Sequence, residues 1–249
     1  MAAKSFSKLA AVMFALLCLG NLARADDMEK LKTALDARQE KIVTIAAFTA
    51  NGNLPELKTA LNGGLDAGLT VNEIKEVLIQ LYAYTGFPRS LNGIQTFMTV
   101  MDEREKAAIA DPAGAQGTAL PAGTDRDAYG EAIRMRLSGV TEVPAKSGYQ
   151  LFAPGIDVFL KEHLFADIFG RGVLEFSDRE IATVAALAAL GGTDAQLQYH
   201  LNAAMNVGLS QQQLAGIISV LDRDVGKNES ALAGKVFGEV LKNRSNINP

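Results

Sequence analysis

Shifted by 140 positions, this chain falls on itself. Gly68-Leu69-Thr70 lands on Gly208-Leu209-Ser210, and at the same offset Glu40 meets Glu180, Leu57 meets Leu197, Leu61 meets Leu201 and Asn62 meets Asn202. Gly86, Ser90 and Phe97 likewise meet Gly226, Ser230 and Phe237. A gapless register over roughly sixty residues marks a tandem duplication, so both halves must build the same unit. The spacing within the unit is helical. Leu57, Leu61 and Leu65 recur one turn apart, with Pro55 placed to open that helix and Gly68 to end it. Thr70-Val71-Asn72-Glu73 is a capping box ahead of Ile74, Val77, Leu78 and Leu81. Gly86-Phe87-Pro88 breaks this run, and a further helix follows over Ser90 to Lys106. Met28 to Thr49, and later Pro154 to Phe169, also read as helix. The expectation is an all-α fold with a first unit over 26–108 and a second over 147–249. Residues 109–146 form a linker, Ala-, Gly- and Pro-rich to Thr124, with a short helix at about Asp127 to Leu137.

The chemistry concentrates between Ser177 and Leu209. Two helices joined by Gly191-Gly192-Thr193 form an antiparallel pair, and each carries one residue suited to proton transfer, Glu180 and His200. The residues after Glu180 are almost all apolar, so its carboxylate is aimed at packed surface. At about 1.5 Å per residue, Glu180 lies roughly 15 Å before the turn and His200 roughly 10 Å after it, close to the same height. A competing structural reading exists, because Ser177-Asp178-Arg179-Glu180 has the S-x-x-E form of a capping box. His200 could equally be a satisfied histidine at a core edge. The repeat favours a role for Glu180 beyond capping: Ala37 replaces Ser177 in the first copy, yet Glu40 persists. Ala60 stands where His200 does, so one complete site per chain is expected, with the first copy supplying structure or a neighbouring wall.

Composition narrows the field. At 249 residues and 48% hydrophobic the chain can bury a full core. Lys4 and Lys8, the apolar run Leu9 to Gly20 and Ala23-Arg24-Ala25 have the form of a secretory signal cleaved after Ala25, which places the mature chain in the periplasm or outside the cell. A lipoprotein anchor at Cys18 is disfavoured by the Leu17 before it. Cleavage removes three basic residues and shifts the formal net charge from −4 to −7, a poor balance for binding nucleic acid or anionic lipid. It also removes the single cysteine, and with it thiol nucleophiles and Cys-ligated metal. His163 and His200 show no metal-binding spacing, and no nucleophile elbow, Walker loop or dinucleotide fingerprint is present. No metal or cofactor is expected.

The stretches LTVNEIKEVLIQLYAYTGFPRSLN in the first copy, and FADIFGRGVLEFSDREIATVAALAALGG followed by His200 in the second, resemble the carboxymuconolactone decarboxylase family in its two-domain form. The resemblance implies an alkyl hydroperoxidase D-like helical unit and a homo-oligomer, a trimer for a duplicated chain. The hydroperoxidase branch works through a Glu, a C-x-x-C pair and a His. No cysteine lies between Glu180 and His200, so its dithiol chemistry does not transfer. The decarboxylase branch implies cofactor-free loss of CO₂ from a small unsaturated lactone acid. His200 is then the general acid, Glu180 orients it, and Arg171 or Arg179 binds a carboxylate; His163 is a secondary candidate. A non-catalytic small-molecule-binding or assembly module on the same scaffold is the alternative, and a cysteine-free peroxidase a weaker one. The export signal separates this chain from an intracellular lactone pathway, so the resemblance carries the reaction class further than the substrate.

Overall fold

The computed structural model describes residues 35–247, and the signal segment expected at 1–25 lies outside them. The described residues form helices and no strands. In the first unit α1 (Ala37–Asn51), α2 (Leu54–Asp66) and α3 (Val71–Lys106) follow one another. After α4 (Arg126–Ser138) come two short turns, α5 (Tyr149–Phe152) and α6 (Pro154–Val158). The second unit then repeats the first as α7 (Phe176–Leu190), α8 (Asp194–Asn206), α9 (Gln211–Val220) and α10 (Lys227–Ile247).

The duplication holds at the level of single hydrogen bonds. Arg104 donates to the Asn62 side chain at 3.3 Å, and Arg244, 140 positions on, donates to Asn202 at 3.2 Å. Asn62 and Asn202 each donate to the carbonyl one turn back, at Lys58 and Gln198. Thr70 and Ser210 head capping boxes at matched positions. Gly68 and Gly208 both end their helices at positive φ, where a side chain would be strained. The break expected at Gly86 is a kink: its φ of 78° and ψ of 160° interrupt α3, which then resumes through Pro88.

Helices α1 and α7 lie against each other at the centre. Ile42 to Ala50 and Asp178 to Ala188 are buried without interruption, because each helix is enclosed by its own unit and by the other copy. This accounts for their apolar sequences on all faces. Polar groups cross the same interface. The Gln80 amide donates to the Arg179 carbonyl and to the Thr183 hydroxyl, at 2.9 and 2.8 Å, and Arg179 donates back to the Gln80 side chain at 2.9 Å.

The linker is better ordered than its composition suggests. Val71 and Asn72 donate to the carbonyls of Pro112 and Ala113, Arg104 grips Asp111 through two bonds of 2.8 Å, and Thr118 donates to the Arg171 carbonyl. This strap runs from the first unit to the second. The helix expected over Pro154 to Phe169 begins as α6 but widens to π-helical geometry over Phe159–Ile168 and tightens at Phe169–Arg171. Helix α4 lies directly on that widened segment, where Gly130 has no side chain to hold it off the Lys161 backbone.

Candidate functional site

Glu180 and His200 meet. The Nδ1 of His200 lies 2.8 Å from Oε2 of Glu180, with both side chains buried. An ionised carboxylate only accepts, so Nδ1 carries the hydrogen of this bond and Nε2 is left for other partners. Among the described residues Nε2 has no hydrogen-bond partner, and the ring lines a cavity of about 850 Å³.

The capping reading of Glu180 is overturned. Helix α7 starts two residues earlier than the S-x-x-E pattern requires: its N-cap is Glu175, no side chain caps it, and Ser177 is already inside. The reciprocal box sits in the first copy, where Asp36 and Gln39 cap α1. Burial among apolar neighbours therefore leaves Glu180 facing α8, where His200 is the group that meets it.

The cavity draws walls from both copies. Ala83 and Tyr84 come from α3 just ahead of the Gly86 kink, Arg134 and Met135 from α4, Leu160 and Leu164 from the π-helical segment, and Gln196, Tyr199 and His200 from α8. Tyr84 and Tyr199 flank the imidazole edge-on, with centroids 5.3 and 5.1 Å away. Burial, reinforced by the charge of Glu180, pushes the Tyr84 hydroxyl well above its usual range. The hydroxyl of Tyr84 and Oε1 of Glu180 are both buried without a hydrogen-bond partner. Burial likewise raises Tyr199, whose hydroxyl lies 3.0 Å from that of Ser138.

The other expected site residues do not reach the cavity. Arg179 is fully buried, but in the interface between the copies. It donates to Glu76 at 3.4 Å and to the Gly172 carbonyl at 2.8 Å, and burial lowers its pKa. Arg171 is held by Glu76 as well, with both carboxylate oxygens 3.0 Å from its Nε. The two arginines share one carboxylate, and neither lines the cavity. His163 is half-exposed, bonds Asp167 one turn along at 3.1 Å and tilts against Tyr82. The arginine on the cavity wall is Arg134. Its spacing from Glu131 reads in the sequence as an ordinary surface ion pair, which gave no cue to its position. Tyr84 had a visible cue, its place just before the Gly86 break.

The matching position in the first copy carries an exposed ion pair instead. Glu40 accepts from Arg223 at 2.9 Å, Ala60 replaces the imidazole, and Asp224, paired with Arg223, stands where Tyr84 does. One cavity-facing Glu–His pair per chain results.

Sequence comparison bears on this arrangement directly. The profile of the carboxymuconolactone decarboxylase family matches residues 21–96 and 154–234, one region for each copy. The chain belongs to the carboxymuconolactone decarboxylase family. A further relative is an uncharacterized 15.0 kDa protein in the nqo9-nqo10 intergenic region of Paracoccus denitrificans, 30% identical over 77 residues. That match covers 30% of this chain and 58% of the relative. The matched regions of the carboxymuconolactone decarboxylase family include Tyr84, Glu180 and His200 but leave out α4. Arg134 and Met135 thus come from the segment between the two matches.

Proposed function

We propose that this protein is a cofactor-free decarboxylase acting on an unsaturated lactone acid or a related β-carbonyl acid. The observation that carries the reading is the Glu180–His200 bond of 2.8 Å, on an imidazole that lines a partly open cavity. In the reaction the bond between the carboxylate carbon and its neighbour breaks and CO₂ leaves. The electron pair delocalises into the lactone carbonyl as an enolate. The Nε2–H of a doubly protonated His200 then donates its proton to carbon, and water later restores the proton to the ring. Glu180 fixes the ring through Nδ1 and supplies the countercharge for its protonated form. Gln196, one helical turn ahead of His200 on the same wall, offers a neutral amide donor to the enolate oxygen.

In the same proposal the chain is exported, cleaved after Ala25, and works as a homo-oligomer, a trimer. N-terminal sequencing of the secreted protein and light scattering test these two points.

The reaction is tested by CO₂ release from a panel of unsaturated lactone acids and β-carbonyl acids, monocarboxylic and dicarboxylic, comparing the chain from Asp26 onward with its His200→Ala variant. General acid catalysis contributes on the order of 10²–10⁴-fold, so release falls by that factor in the variant. Turnover unchanged by His200→Ala removes the assignment. Binding without release from any compound leaves the chain as a small-molecule-binding module.

A further inference from the structure

We infer that the cavity selects a monocarboxylic acid with an extended apolar body and rejects compact di- and tricarboxylic acids. This rests on the decarboxylase reading for the position of the reacting carboxylate, and it fixes the rest of the ligand independently.

Size is the first argument. The cavity, about 850 Å³ and partly open to solvent, lies toward the upper end of the range of pockets that hold drug-sized ligands, about 300–1,000 Å³. A compact lactone diacid fills a minor part of such a space and leaves His200 in contact with water. The enolate is then open to solvent, and the walls contribute little to binding.

The charge of the walls is the second argument. Arg134 is the one arginine or lysine among the residues lining the cavity, and its guanidinium is committed. It donates to Glu131 through Nε at 3.0 Å and to Asp157 through Nη1 at 2.7 Å, with a third bond to Glu131. Lys161 pairs with Asp127 and lies 3.9 Å from Glu131, while Lys146 lies 3.6 Å from Asp157. Three cations thus face three anions. Burial alone would raise Asp157, yet the bonds from Gln150 and Arg134 outweigh it and hold this carboxyl below its usual range. A second or third substrate carboxylate would enter with no unpaired cation to meet it.

Apart from the neutral polar groups of Tyr84, Tyr149 and Gln196, the remaining surface is apolar or already satisfied. Met135, Ile156, Leu160, Leu164, Phe165 and Leu187 contribute side chains that gain only by excluding water. Ser138 and Tyr199 bond each other, and the Thr193 hydroxyl donates to the Leu187 carbonyl. Such walls suit one polar head at His200 with a hydrocarbon or aromatic body running toward α4 and the π-helical segment.

The test separates binding from turnover by using saturated acids that cannot decarboxylate. Isothermal titration of the chain with hexanoate, octanoate and decanoate, each below its micellar concentration, is expected to give one site. Affinity should rise roughly fourfold for each added methylene, from the transfer free energy of a buried CH₂. Decanedioate is expected to bind at least tenfold more weakly than decanoate, since its second carboxylate meets no free cation. Met135→Glu places a charge on a half-buried wall position and should abolish the chain-length dependence while the helical circular dichroism is kept. A flat or falling affinity along the series, or a dicarboxylate bound as tightly as the monoacid, overturns the proposal. Rising affinity in a protein that releases no CO₂ sustains it and removes the decarboxylase reading instead. Efficient turnover of compact diacids with no preference for longer chains does the reverse.

Discussion

Two buried polar atoms at the site stand without partners, the hydroxyl of Tyr84 and Oε1 of Glu180, and they are complementary as donor and acceptor. An unsatisfied buried group carries a desolvation penalty of about 1–3 kcal/mol, so removing the Tyr84 hydroxyl relieves one. Tyr84→Phe is therefore expected to leave stability to urea unchanged or raised. Tyr199→Phe breaks the contact with Ser138 and should lower stability by about 1 kcal/mol. Both hydroxyls are raised by burial, so the folded chain keeps them protonated where the unfolded chain begins to lose them. Their contribution is fully present below the ordinary tyrosine value near 10 and is lost as pH rises from there through the folded value. Thermal stability should fall above pH 10, and less steeply in Tyr84→Phe. An equally steep fall in both proteins would count against burial of this hydroxyl. At this scale the sequence was informative where burial and chemistry coincided. A carboxylate on an otherwise apolar helix had to face something, and His200 was the group within reach. The arginines were not legible, since Arg179 finds Glu76 from 103 positions away and nothing local marks that pairing.

Among the elements, the contact between α4 and the π-helical segment decides the shape of the cavity. A Cβ added at Gly130 would lie 1.9 Å from the Lys161 carbonyl oxygen, a backbone atom with no rotamer to yield. Gly130→Ala must push α4 away from the segment that carries Leu160 and Leu164. Overpacking of this kind costs about 1–3 kcal/mol and occasionally more. The expected outcome is a drop at the upper end of that range in urea denaturation, together with weaker decanoate binding. A variant as stable as the parent would show that α4 is free to shift. Gly86 is a different case, because its φ of 78° and ψ of 160° favour glycine whatever the space around it. The helices themselves were readable from spacing, caps and the repeat. The widening over Phe159–Ile168 was not, because a 3.6-residue pattern does not distinguish an α-turn from a π-turn.

At the scale of the molecule, duplication has been put to unequal use. Each copy retains the helical frame, but the second keeps the imidazole while the first lends Tyr84 and carries an exposed ion pair at the matching position. The sequence showed this asymmetry through Ala60 and Ala37. It could not show that α1 and α7 bury each other, since an apolar helix does not name its partner. Glu76 gives this interface a measurable signature. It is almost fully buried, holds Arg171, and is the only carboxylate bonded to the fully buried Arg179 among the described residues. Glu76→Ala leaves a buried guanidinium without its countercharge, a loss of about 3–5 kcal/mol for a pair of this kind. Glu40→Ala removes a carboxylate from the exposed pair with Arg223 and should change stability by about 1 kcal/mol or less. Both can be read from urea denaturation, by circular dichroism and by tyrosine fluorescence, since the chain has no tryptophan. If the copies fold as one body, the two signals of Glu76→Ala shift together in a single transition. A shifted transition in one signal alone would mean that the copies unfold separately, and that the cavity wall supplied by Tyr84 is lost before the Glu180–His200 pair is.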